Sequence, residues 1–166
     1  MAFTCTVCGE THGGETRDIR MSLPDPIFRI DEPERDRCAS VGEDSAVLRD
    51  GEAERFFVRA LLELPIEKEE GYFGYGAWIE VSPADFETLR ELWHDVDGWR
   101  SEPFPGTLAN ELLPYAFTEG LPVHIRLRDV KLLPLVELAD VDHELVRAQG
   151  NGISAHRAHE LAATVA

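Results

Sequence analysis

Lysine is scarce in this chain of 166 residues: Lys68 and Lys131 stand beside fourteen arginines. These 16 cations face 32 aspartates and glutamates, for a formal charge of −16. A sequence-independent nucleic-acid binder needs a cationic surface to displace counterions, so no nucleic-acid partner is expected. A protein that lies on a membrane needs a basic face beside its apolar one, and none is written here, so no membrane partner is expected either. Cysteine is sparse too. Cys5, Cys8 and Cys38 are too few for a disulfide framework and odd in number, which makes a reducing cytoplasm the expected compartment. No apolar run approaches about 18 residues, which excludes a membrane-spanning helix. The start, Met1-Ala2-Phe3-Thr4-Cys5, lacks the basic and apolar regions of a secretory signal. Two catalytic signatures are missing as well. Ser22, Ser45 and Ser154 have no nucleophile-elbow context, and the glycines from Gly71 to Gly76 are not followed by the helix start of a phosphate-cradling loop.

What is present suffices for a core. Residues of the AVILMFWYC set make up 43% of the chain, so its acidity does not imply disorder. At this length one domain over residues 1–166 is expected, a Cys/His knuckle at 1–16 followed by a body at 17–166, burying roughly 70% of its unfolded surface. Residues 17–30 read as extended or irregular, because of Pro24 and Pro26. A short helix is expected from Glu34 to Ser40 and a short strand at 45–49. Over 55–64, Phe56, Val58, Ala60, Leu62 and Leu64 repeat at period two, which predicts a strand closed by Pro65. A second strand is predicted at 72–81, with Phe73, Tyr75, Ala77, Ile79 and Val81 on one face. Its other face carries Gly74 and Gly76 beside Trp78, and two glycines on one face leave a groove for a ligand or a packed helix. The short polar link Glu67 to Gly71 predicts an antiparallel hairpin.

Ser82-Pro83-Ala84-Asp85 reads as a helix start, and Phe86, Leu89 and Trp93 place one stripe of that helix in the core. Pro103, Pro105 and Pro114 mark 101–120 as a loop with one helical turn from Thr107 to Leu112. Val123, Ile125 and Leu127 predict a half-buried strand. Leu132 to Leu138 predicts another, which Pro134 assigns to an edge or a bulge. Asp142 is expected to cap a helix from His143 to Gln149, and Ser154 to cap a last helix to about Thr164. The strands cluster in mid-chain without alternating with long helices. This predicts an α+β fold, a mainly antiparallel sheet of about five strands with helices on one face.

The most specific local motif is Cys5-Thr-Val-Cys8-Gly9-Glu-Thr-His12. Two thiolates three apart can grip one Zn²⁺ across a knuckle turn, with His12 in reach as a third ligand, which points to a structural ion. The fourth ligand would come from Cys38, His124 or His143, brought in by folding. A metal-free knuckle of reduced thiols competes with this reading. Asp140-Val-Asp142-His143-Glu144 groups three carboxylates with an imidazole, a candidate for cation binding or proton transfer, though a helix cap with negative charges near its amino terminus explains it more simply. Trp78, beside its two glycines, is a candidate for a binding surface or for the core.

An ordered series of segments now stands out. Cys5-Thr-Val-Cys8-Gly9 and His12 are followed by Arg55-Phe-Phe-Val-Arg59, Leu62-Glu-Leu-Pro-Ile66 and Phe73-Gly-Tyr-Gly-Ala-Trp-Ile-Glu-Val-Ser82 with Phe86. Then come Leu113-Pro-Tyr115 with Thr118, Pro134-Leu-Val-Glu-Leu138, Asp142-His-Glu-Leu145, Gln149, Gly152-Ile153 and Arg157-Ala158. From Phe3 to Ala162 this resembles an uncharacterised bacterial family, domain of unknown function 2199. The resemblance implies a small, single-domain, cytoplasmic bacterial protein and supplies no activity to carry over. In the family pattern a cysteine often follows closely on the aspartate that corresponds to Asp44. Here Ser45 and Ala46 stand there, which takes support from a metal site.

Two functions fit. One is a non-enzymatic binding or interaction module whose acidic surface steers a basic protein partner, an immunity-type protein masking a cationic toxin being a concrete version. The other is a zinc-supported module or metal-dependent enzyme built on Cys5, Cys8 and His12, with Asp142 and His143 as further candidates. Elemental analysis separates them. The metal reading expects about one equivalent of zinc or iron in protein prepared without chelator, and under about one-tenth removes it.

Overall fold

The computed structural model describes residues 3–4, 7–9, 11–12, 18–68 and 70–164. Along the chain the elements are β1 (Phe3–Thr4), β2 (Thr11–His12), β3 (Asp18–Arg20), α1 (Asp25–Phe28), α2 (Glu32–Cys38), β4 (Ala39–Val41), β5 (Ser45–Asp50) and β6 (Ala53–Pro65). There follow β7 (Tyr72–Val81), α3 (Pro83–Leu92), β8 (Phe104–Leu108), β9 (Pro122–Arg126), β10 (Leu135–Leu138), α4 (Glu144–Asn151) and α5 (Ala155–Ala163). The fold is α+β, as the clustering of strands predicts.

The long hairpin of β6 and β7 is the spine. Its antiparallel register runs from Phe56↔Val81 to Pro65↔Tyr72, and β7 has the bounds that period-two alternation predicts. Each strand is longer than any neighbour on its outer edge. β6 pairs β5 along its first half, Ser45↔Val58 to Asp50↔Ala53, and then pairs β10 in parallel through Leu135↔Leu61 and Val136↔Leu62. β7 pairs β3 in parallel, Asp18↔Gly74 to Arg20↔Gly76, and then pairs β8 through Ile79↔Leu108 and Glu80↔Thr107. With β8–β9 and β9–β10 antiparallel, the order β6-β7-β8-β9-β10 returns to β6.

The expected sheet is therefore corrected to a closed five-stranded barrel extended by β3, β4 and β5. Closure follows from the exchange of partners. The half of β6 that β5 leaves unpaired is an open edge, and β10 satisfies it. Pro134, read from sequence as an edge or bulge residue, sits at this seam, where the Leu61 N–H donates to its carbonyl.

Two further expectations change. The stretch 101–120 contains β8, because prolines fit an extended backbone where their missing N–H is not needed, and Phe104 and Leu108 alternate inward. At Gly106 a Cβ would lie 2.7 Å from Ile79 Cγ2 and 2.8 Å from the Glu80 carbonyl, so β8 approaches β7 at a distance that admits only glycine. The cap of α4 is His143 and not Asp142. Ser82 and Ser154 cap α3 and α5 as expected, accepting from the Asp85 and Arg157 N–H groups.

Inward residues of all five barrel strands form the main core: Val58, Ala60, Leu62, Phe73, Tyr75, Ala77, Leu108, Val123, Ile125 and Val136 among them. Phe86 and Leu89 of α3, Leu145 of α4 and Leu161 of α5 close it. A second cluster lies on the opposite face of the spine, where Phe57 and Trp78 pack against Ile27, Ala46, Leu48 and Ala109. Among the described residues no helix is long and apolar enough to cross a membrane.

Asn110, fully buried, ties these layers together. Its Oδ1 accepts from the Trp78 N–H at 2.8 Å, and its Nδ2 donates to the Leu23 carbonyl at 2.9 Å and to Asp25 Oδ1 at 3.0 Å. Asn110→Ala strands the buried Trp78 N–H and leaves the part-buried Leu23 carbonyl without this donor, so a loss of about 1–3 kcal/mol is expected, read as a lower midpoint in urea unfolding with unchanged slope.

Candidate functional site

The residues singled out from sequence separate in space. Cys5 lies outside the described residues. Cys8 is in an exposed turn, and His12 is in β2 opposite Phe3, its side chain not described. Among the described residues no group of three His, Cys, Asp or Glu side chains could hold a metal. Trp78 is 1% exposed. Its Nε1 donates to the Met21 carbonyl, and the Arg59 guanidinium stacks 5.8 Å from its ring, so the indole sits inside the outer layer and not on a free surface. Asp142 reaches out to Arg147, 2.7 Å away.

His143 is engaged at both ring nitrogens. Nδ1 accepts from the Leu145 N–H at 2.9 Å, and Nε2 faces the Ala116 carbonyl at 2.8 Å. An amide can only donate and a carbonyl only accept, so the ring is the neutral tautomer with its proton on Nε2. It pins the loop 110–119 to the start of α4.

That loop is held from within. The Leu112 N–H donates to Thr118 Oγ1, which itself donates to the Asn110 carbonyl. Glu111 Oε2 accepts from the Thr118 and Glu119 N–H groups, and its own N–H donates to Asp25 Oδ2. Arg29 of the turn after α1 grips Glu119 with both terminal nitrogens, at 2.8 and 2.7 Å. Tyr115 is buried, with Arg157 stacked 5.3 Å from its ring. Out of this frame project Leu113, 66% exposed, and Phe117, 85% exposed with a left-handed φ of 59°. A bulky residue in that conformation is uncommon and persists where its surroundings dictate it. Beside it, through the His143 bond, runs the exposed acidic segment Asp140, Asp142 and Glu144.

A cavity of about 290 Å³ lies between Tyr115 and the α4–α5 corner, with Glu144, Arg147 and Arg157 in its lining, and two larger ones lie elsewhere. One of about 500 Å³ lies between α3 and β5–β6, lined by Asp44, Ser45, Glu87, Arg90, Glu91 and His94. Its charges are largely spoken for: Asp44 pairs with Arg59, and Glu87 with Arg90. The other, about 310 Å³, occupies the glycine groove on the outer face of the spine.

A family model described as an uncharacterized protein conserved in bacteria matches residues 4–153. The chain belongs to that family, domain of unknown function 2199. No curated protein and no solved structure matches it. The site residues of this domain 2199 chain are therefore argued from geometry alone. Phe117, Asn110 and the Arg59–Asp44 pair escape a reading of the sequence, since exposure and long-range pairing leave no local pattern. The glycine groove does not escape it.

The grip of Arg29 has a pH signature. Its hydrogen bonds hold the Glu119 carboxyl below the usual 4.5, against the opposing effect of burial. A carboxylate with a depressed pKa stabilises the fold above its unfolded pKa, and the stabilisation fades as pH falls through the folded value. Both groups are part-exposed, so Glu119→Gln is expected to lower stability at neutral pH by no more than ~1 kcal/mol, a margin that shrinks in acid. Urea unfolding of both proteins at neutral and acid pH checks it.

Proposed function

We propose that this member of the domain 2199 family is a non-enzymatic interaction module that docks a basic protein partner on the 110–119 loop. The observation that carries the reading is Phe117: a large apolar side chain, 85% exposed, held in an uncommon backbone conformation by a closed set of hydrogen bonds. A rigid aromatic anchor loses little freedom on binding, which is the property of interface hot spots. Leu113 is a second exposed apolar side chain of the same loop, and the neighbouring segment carries the exposed carboxylate Asp140 beside Asp142 and Glu144, which pair with Arg147 and Arg157. The net charge of −16 adds long-range steering toward a cationic surface. The commitment of both His143 nitrogens to the backbone favours a binding role over a catalytic one for the Asp142-His143 segment.

Paired affinity captures from host lysate test this. Wild-type protein is expected to retain a basic protein at low salt and to release it at high salt. Phe117→Asp, with an unchanged circular dichroism spectrum, is expected to lose that same protein, at a cost in affinity of about 2 kcal/mol or more. A partner held equally by the Phe117→Asp variant, or none that responds to salt, sinks the reading.

A further inference from the structure

The glycine groove collects positive charge in a chain that has little to spare. It is floored by Gly76 and walled by Arg20 of β3, Arg59 and Leu61 of β6, and Arg128, Lys131 and Leu132 of the β9–β10 connection, with Asp18 and Tyr72 at one end. The register explains the assembly. Arg20 lies beside Gly76, which lies opposite Leu61, so the absent side chain in the middle strand leaves a trough between two walls. A Cβ at Gly76 would meet Arg20 Cα at 3.7 Å and Arg59 Cδ at 3.9 Å, whereas at Gly74 the trough is already closed by Asp18 and Leu61.

Most of the described arginines have partners. Arg29, Arg55, Arg59, Arg126, Arg147 and Arg157 all sit in ion pairs. Arg20 and Lys131 are among the few whose side chains make no ion pair or hydrogen bond among the described residues, although 32 carboxylates are available to the chain. Arg128 joins them in the trough, held there by its Nε–H, which donates to the Leu133 carbonyl at 2.6 Å. With Arg59 neutralised by Asp44, the uncompensated lining is Arg20, Arg128 and Lys131 against Asp18. Even with the Glu63 carboxylate that acts on Tyr72 at the Asp18 end, the described residues leave an excess of positive charge facing a small space, which suits a small anion such as a phosphomonoester. A volume of about 310 Å³ is at the small end for ligand cavities. Arginine supplies the forked donors that phosphate oxygens accept, Tyr72 a hydroxyl for a polar group, and Leu61 and Leu132 an apolar wall for a short carbon body.

We propose that the Gly76-floored cavity between β3, the β6–β7 spine and the β9–β10 connection binds a small phosphate-bearing anion through Arg20, Arg128 and Lys131. Isothermal titration at constant ionic strength tests it with inorganic phosphate, ribose 5-phosphate and succinate as probes, in chloride buffer. At least one of the two phosphate probes binds saturably and more tightly than succinate, and comparing the two separates free phosphate from a monoester. The variant carrying Arg20→Ala and Lys131→Ala, both at exposed positions, weakens that binding at least about tenfold. Lys131→Glu alone, in a connection outside the strands, weakens it in the same direction and guards against a folding defect in the double variant. Absence of binding by either phosphate, binding that survives both variants, or tighter binding of succinate overturns the proposal.

Discussion

The antiparallel ladder between β6 and β7 is the constraint on which the other elements depend. Ala53–Pro65 and Tyr72–Val81 pair over nearly their whole length, and neither strand's outer edge is matched by any single neighbour. An unpaired stretch of buried backbone is expensive, so each strand must find a second partner where the first ends. β6 finds β10 after β5, and β7 finds β8 after β3. The same two exchanges close the barrel and place three further strands outside it.

From that geometry the groove and the exposed loop tip follow on different elements. On the outer face of the spine, opposite residues alternate between large and absent: Arg59 with Trp78, Leu61 with Gly76, Glu63 with Gly74. The large pair is covered by α1 and the Asn110 network, and Gly76 leaves the trough, which Asp18 and Leu61 close at Gly74. The loop that carries Asn110 continues directly into Leu113 and Phe117, so the buried amide that holds β7 also anchors the exposed tip. Loop tip and barrel are thus one mechanical unit.

The net charge of −16 describes the surface only on average. Most cations are committed to carboxylates or carbonyls, and what distinguishes a place on this protein is a departure from the average. The glycine trough departs toward positive charge. The tip departs toward apolar surface, with Leu113 and Phe117 exposed. A small anionic ligand and a basic protein would thus be received at separate places, each by local complementarity and not by the overall field.

How far these features can be read in advance depends on the range of the interactions that make them. Alternation of Phe73, Tyr75, Ala77, Ile79 and Val81 is a local pattern, and it marks β7 to the residue. Ser82 and Ser154 are local caps, and they too are legible. The glycines at 74 and 76 announce a groove, because absence of a side chain is written in the sequence itself. By contrast, Pro103 and Pro105 disguise β8, which exists because Gly106 lets it press against β7 from across the sheet. His143 takes the cap from Asp142 because its second nitrogen is drawn to Ala116, a carbonyl far away along the chain. Alone, then, the sequence determined the α+β class, the spine hairpin, the acidic shell and the existence of a groove, since each rests on residues near in sequence. Tertiary structure alone decided the barrel, the cations that turn toward the groove and the projection of Phe117, because each requires partners that meet only when the spine strands exchange neighbours.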